Sequence, residues 1–179
     1  MKNLFEKYSF MFGIAGGLVA LDQLTKWLVR SNIALGDTWL PDSLAWLSPY
    51  ARIVNWYNTG AAFGMFQNGS AIFATLAFIV IGALIYYFPQ VEKKDWTLRL
   101  AMSMQLAGAS GNLIDRLTQD GKVTDFISVG TFPVFNVADA SISIGTVVLL
   151  LGVYLQERAA QKEKAKHGTD NQTGEVTLE

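Results

Sequence analysis

Cysteine is absent from this chain, and histidine occurs once, as His167 in a polar tail. The first absence removes disulfides, thiolate metal sites and a cysteine nucleophile together. The second leaves no basis for a Ser-His-Asp triad or a His-ligated metal, so neither a metal nor a cofactor is expected. Charge is scarce as well. Charged residues make up 16% of the chain, against roughly 25% in soluble domains. A net charge of −1 gives no electrostatic footprint for nucleic acid. Catalytic side chains must then come mainly from Asp, Glu, Ser, Thr, Lys, Tyr, Asn or Arg.

What the chain has in quantity is apolar sequence, 51% of its residues. Ser70 to Phe88 runs for nineteen residues without a charge, and Ala140 to Gln156 for seventeen. About twenty apolar residues cross the hydrocarbon core as a helix. Leu100 to Ile114 adds fifteen uncharged residues, lengthened towards Thr97 if Arg99 snorkels to the surface. Tyr8 to Trp27 supplies another run, with Asp22 and Lys26 near its far end. The expected fold is an all-α membrane protein. Four transmembrane helices, at 8–28, 70–88, 98–116 and 138–156, form a bundle, with a small extracytoplasmic β-containing subdomain between helices 1 and 2. Residues 1–158 make the membrane domain, about 30–69 the outer subdomain, and 159–179 a disordered cytoplasmic tail.

Nine Lys and Arg fall on the side of the termini and five on the other, which puts both termini in the cytoplasm by the positive-inside rule. The outer connection carries RIVNWYN at 52–58, β-branched and aromatic enough for a short strand. The Trp-bearing stretch at 38–47 suits the membrane surface. Asn58-Thr59-Gly60 is a turn signal.

Span parity gathers the polar residues. Asp22, Asp115 and Asp139 sit at outer helix ends, and Asn58 and Asp125 lie in outer connections, so all five meet on one leaflet. Carboxylates at a bilayer boundary are costly and usually functional. Gly108, Asn112 and Arg116 recur at i, i+4, i+8 and share a helix face. Taken singly, each residue also has a plain structural reading. Asp22–Lys26 is an orienting i, i+4 ion pair. Gly108 is a packing glycine, Asp139 a helix cap in NVADAS, Asp115 a solvated helix end and Asp120 a solvated turn. Two facing aspartates sharing one proton could hydrolyse a peptide without Ser, Cys, His or metal. Spacing alone does not choose the pair among Asp22, Asp115, Asp125 and Asp139. A four-helix transporter using boundary carboxylates for ion or proton coupling is the competing reading.

Five motifs resemble those of the lipoprotein signal peptidase (signal peptidase II) family. They are DQLTK at 22–26, NTGAAFG at 58–64, GASGNLIDR at 108–116, VTDF at 123–126 and FNVADAS at 135–141. They stand in the family's order and, with its hydropathy, cover about residues 8–156. The resemblance implies an aspartic endopeptidase of the bacterial inner membrane, with its active site near the outer leaflet. It would remove the signal peptide of a diacylglyceryl-modified prolipoprotein, cutting before the lipidated cysteine. The partners implied are that substrate, membrane lipids and globomycin-type inhibitors. Asp125 and Asp139 would be catalytic. Asn58, Gly108, Asn112, Arg116 and Asn136 would line the substrate site, with Asp22, Lys26 and Asp115 as its structural support. The chain departs from the family in carrying Thr124 where Val is common, and in a short connection from Asp125 to Asp139.

Overall fold

The computed structural model describes residues 2–60 and 69–174, with side chains at 6–60, 69–158 and 161. Four α-helices dominate: α1 (Lys2–Asn32), α2 (Ser70–Tyr87), α3 (Trp96–Thr118) and α4 (Val137–Gly174). Three short strands complete the fold: β1 (Thr38–Trp39), β2 (Ala51–Asn58) and β3 (Val123–Val129). A 3-10 segment, Asp42–Leu47, joins β1 to β2.

Two helical stretches, Ser70–Gln90 and Val137–Arg158, are long and apolar enough to cross a membrane among the described residues, with mean hydropathies of 2.3 and 1.8. Their apolar side chains are turned outwards. Ile72, Phe78, Ile79, Val147 and Leu150 are each more than half exposed, apolar faces that suit lipid and not water. Helices α1 and α3 carry charges within their apolar runs, but they fold those charges inwards: Asp22, Lys26, Arg99 and Asp115 are all buried. The expectation that Arg99 snorkels to the surface is corrected. Its guanidinium lies 4.2 Å from the centre of the Phe88 ring and donates to the carbonyls of Val91 and Lys7. It thereby ties α1 to the turn between α2 and α3, beside a core of Met11, Ala15, Phe88, Met102 and Leu106.

The helix ends follow local chemistry. Helix α2 stops at Tyr87 and tightens into a 3-10 turn over Phe88–Gln90, where Pro89 has no N–H to continue the α-helical ladder. Beyond α3 the chain turns through Asp120 and Gly121, both at positive φ, and Asp120 is exposed there as expected. Helix α4 runs on to Gly174, and its stretch QERAAQKEKAK at 156–166 is composed of strong helix formers.

The sheet has the order β1-β2-β3, antiparallel throughout. The strand expected at 52–58 is β2. Strand β3 was assigned to no element in the sequence, and it widens the subdomain: its residues come from the α3–α4 connection, not from 30–69. Trp56 pairs with Asp125 and Asn58 with Val123, beyond an irregularity between Ile53 and Trp56. After β3 the chain folds straight back. Phe135 exchanges backbone hydrogen bonds with Ile127, and α4 begins two residues later. The short Asp125–Asp139 connection is therefore a tight return that lays Asn136 beside Asp125.

Candidate active site

Helix α4 begins with a reciprocal cap. The Asn136 side-chain oxygen accepts from the Asp139 N–H at 2.9 Å, and Asp139 Oδ2 accepts from the Asn136 N–H at 3.2 Å. This is capping-box geometry, with Asn136 as the cap and the acid three residues on. Asp139 is thus not itself the cap, and the box fixes its rotamer. A third donor of the first turn, the Ala138 N–H, is taken by Asp22 Oδ1 of α1 at 2.9 Å.

Asn136 also faces the sheet. Its amide nitrogen donates to Asp125 Oδ1 at 2.7 Å and to Asn112 Oδ1 at 3.1 Å. Asn58, on the same face of β2, donates to Asp125 Oδ2 at 3.0 Å, and its own carbonyl accepts from Gly60 N–H at 2.9 Å. Asn112 of α3 donates to Asp139 Oδ1 at 2.7 Å. Every carboxylate oxygen of Asp125 and Asp139 therefore accepts an N–H, and Asn136 joins the two acids directly.

Lys26 sets the direction of this network. It is fully buried, and its ammonium lies 2.9 Å from Asp22 and 3.2 Å from Asp115. It also donates to Asn112 Oδ1 at 3.0 Å. An ammonium has donors only, so the Asn112 carbonyl must face it and the Asn112 amide must face Asp139. The Asp22–Lys26 pair is an ion pair, as the spacing suggested, but a buried one. Asp115 is not a solvated helix end either. It is 0% exposed and accepts from the Thr124 N–H at 2.9 Å.

Asp125, Asp139, Asn58, Asn112 and Arg116 line one cavity of about 540 Å³, whose apolar wall is Phe73 and the 132–135 return. Burial pushes the Asp125 carboxyl up from 3.8 to about 7, and the nearby charge of Asp139 pushes in the same direction. The hydrogen bonds from Asn58 and Asn136 and the charge of Lys26 oppose the rise without cancelling it. Arg116 sits 5.3 Å from the Phe73 ring centre. Its hydrogen bonds to the carbonyls of Asn112 and Gly60 are long, 3.4 and 3.5 Å, and its Nε is buried without a partner among the described residues.

Two residues expected at the substrate site are not on the cavity wall: Asn136, which is fully buried and holds the aspartates, and Gly108. A Cβ on Gly108 would collide with the Ala138 carbonyl and the Ile142 side chain, so Gly108 is where α3 and α4 meet and not part of the cavity wall. Residues 61–68, which complete the NTGAAFG motif, lie outside the described residues. Two supports were not singled out in the sequence. Gln23 donates from one amide nitrogen towards Asp22, Asp115 and the Gly111 carbonyl. Arg30 reaches β3 from the end of α1. Both continue the DQLTK helix face at i, i+3 and i+7 spacing, the one signal that could have found them.

The chain is similar to known proteins over most of its length. The sequence profile of the family described as Signal peptidase (SPase) II matches residues 14–155. A lipoprotein signal peptidase of Shouchella clausii is 40% identical over 144 residues, 79% of this chain and 90% of that protein. One of Bacillus pumilus is 34% identical over 157 residues, 86% of this chain and 97% of that protein. A solved bacterial membrane enzyme superposes with a TM-score of 0.73 at 30% identity, over 82% of this chain and 88% of the other.

Proposed function

The chain belongs to the signal peptidase II family, and from that premise we propose that Asp125 and Asp139 are the catalytic pair of an aspartic endopeptidase. It is a membrane protease that removes signal peptides from prolipoproteins. The observation that carries the dyad is Asn136, which bonds both aspartates within one cavity. Membership of this family sets the transporter reading aside.

The chemistry follows from two carboxyls that resist double ionisation. Asp125, with its pKa near 7, carries the shared proton. Asp139 stays ionised and takes a proton from the attacking water. Asp125 hydrogen-bonds the scissile carbonyl and then protonates the leaving nitrogen. The four asparagine and backbone donors hold both carboxylates in place before substrate arrives, so orientation is set in advance. Arg116, with its donors loosely engaged, binds a carbonyl of the peptide or of the lipid linkage. Asn58 and Asn112 complete the polar wall, and the apolar 132–135 return takes the side chains around the scissile bond.

The substrate is a diacylglyceryl-modified precursor, cut before its lipidated cysteine, with its acyl chains remaining in lipid. The enzyme sits in the bacterial inner membrane with four spans and cytoplasmic termini, its site faces the outer leaflet, and globomycin-type peptides occupy the same cavity. The test is cleavage of a lipidated precursor peptide in detergent. Asp125→Asn and Asp139→Asn should each abolish turnover at unchanged thermal stability, and globomycin should inhibit the wild type. Processing retained by either folded variant would remove the dyad assignment.

A further inference from the structure

Thr124 immediately precedes Asp125 and is fully buried. All of its polar groups are engaged, each by a different element. Its N–H donates to Asp115 Oδ2 of α3 at 2.9 Å. Its carbonyl accepts from the Asn136 amide, ahead of α4, at 3.4 Å. Its hydroxyl accepts from Arg30 Nη1, at the end of α1, at 2.9 Å. The same Arg30 nitrogen stands 3.7 Å from Asp115 Oδ1, too far for a good hydrogen bond, so the hydroxyl is its short contact. Side chains alternate across a strand. Thr124 therefore points away from the cavity that Asp125 lines, and its hydroxyl contacts the support and not the substrate.

We infer that Arg30 and the Thr124 hydroxyl form a positioning clamp that sets the aim of Asp125. The inference rests on the reading of Asp125 as catalytic. Strand β3 is held on one side by β2 and on the other by backbone bonds from Phe126 and Ile127 to Phe135 and, at the end where Asp125 sits, by the polar groups of Thr124. The peptide joining Thr124 to Asp125 begins at the Thr124 carbonyl, which Asn136 holds, while the other two contacts fix the residue that carries it. The clamp works through position and not through charge, because Asp115 already has Lys26 at 3.2 Å. Losing the hydroxyl would free the strand to shift while leaving the Lys26 network intact. A displacement of about 1 Å at a catalytic group costs on the order of 100-fold in rate, and a partial loss of the clamp should cost about tenfold.

Four variants of the full-length enzyme in detergent test this, with kcat and KM measured separately for a lipidated precursor and thermal unfolding measured alongside. Thr124→Val keeps the β-branched shape and removes the hydroxyl. It should lower kcat about tenfold with KM nearly unchanged. Thr124→Ser restores the hydroxyl and should restore most of kcat. Arg30→Gln should resemble Thr124→Val, and the double variant should be no slower than the slower single, since both remove one interaction. Wild-type kcat in Thr124→Val, equal loss in Thr124→Ser and Thr124→Val, or multiplying losses in the double variant would overturn the clamp. If Arg30→Gln does not fold, the Val and Ser pair at 124 decides alone. Asp125→Asn run in parallel separates the two readings. Turnover there removes the dyad, whereas a dead Asp125→Asn beside a fully active Thr124→Val removes only the clamp.

Discussion

Asp125 accepts a hydrogen bond on each oxygen, yet its pKa stands near 7 because burial outweighs them. The proposed mechanism needs that proton, so turnover should fall on the alkaline side with a midpoint near 7. The bond from Asn58 holds the pKa down. Asn58→Ala should therefore move the alkaline midpoint to higher pH, as a pH profile of kcat would report. An unmoved or lowered midpoint would argue that another group titrates. The same shift has a sign for stability. A carboxyl raised from 3.8 to about 7 binds its proton more tightly folded than unfolded. Its contribution is complete below the unfolded value and is lost as pH rises through about 7. Chemical denaturation should show wild-type stability declining over that window more steeply than Asp125→Asn, which has no proton to lose.

At the scale of elements, the site depends on how closely α3 meets α1 and α4. A Cβ on Gly111 would come within 2.6 Å of Asp22 Oδ2, and one on Gly108 would meet the Ala138 carbonyl, which belongs to the first turn of α4. Backbone cannot swing aside as a side-chain end can. Gly108→Ala should push α4 away from α3, moving Asp139 with it. A cost of about 1–3 kcal/mol is expected from overpacking, with kcat falling more than KM rises. Thermal unfolding beside kinetics checks both, and a stable, fully active variant would show that the helices are free to part. The glycines and the i, i+4 face were visible in the sequence, but the direction of that face was not. Periodicity says which residues share a side of a helix and does not say whether a helix or a ligand lies against it. The strand β3 was hidden for a similar reason. KVTDFISV is short, buried on most positions and carries polar side chains inward, so it lacks the polar-out alternation that marks a half-buried strand. Its partner β2, with exposed Arg52 and Trp56, was legible. The long apolar segments at 70–88 and 138–156 are legible in the sequence, as is the N-x-x-D spacing of the Asn136–Asp139 cap, whereas the contacts of Asn136 with Asn112, Asn58 with Asp125 and Lys26 with Asn112 join residues 24, 67 and 86 apart, which no local pattern encodes.

For the whole molecule, the sheet constrains how the chain threads the membrane. Strands β1 and β2 come from the α1–α2 connection and β3 from the α3–α4 connection, so the two connections lie on the same side. Helices α2 and α3 must then run out and back, leaving the short turn between them at the opposite face. Helix α2 is apolar enough to cross, and in the four-span topology proposed above that turn is across the bilayer from the sheet. Lys93 and Lys94 lie in the turn, and Arg158, Lys162, Lys164 and Lys166 follow the apolar part of α4; under the positive-inside rule this supports the proposed orientation, with the turn and both termini in the cytoplasm. The absence of native cysteine makes this directly measurable. Single cysteines at exposed positions, Asp42→Cys beside the sheet and Lys93→Cys in the turn, can be probed with a membrane-impermeant maleimide. Asp42→Cys should label in spheroplasts with the membrane intact, and Lys93→Cys only after permeabilisation. Equal labelling of both before permeabilisation would mean that α2 does not span, and the reverse pattern would put the aspartates on the cytoplasmic side. In either case the membrane-boundary placement of Asp125 and Asp139 would have to be redrawn.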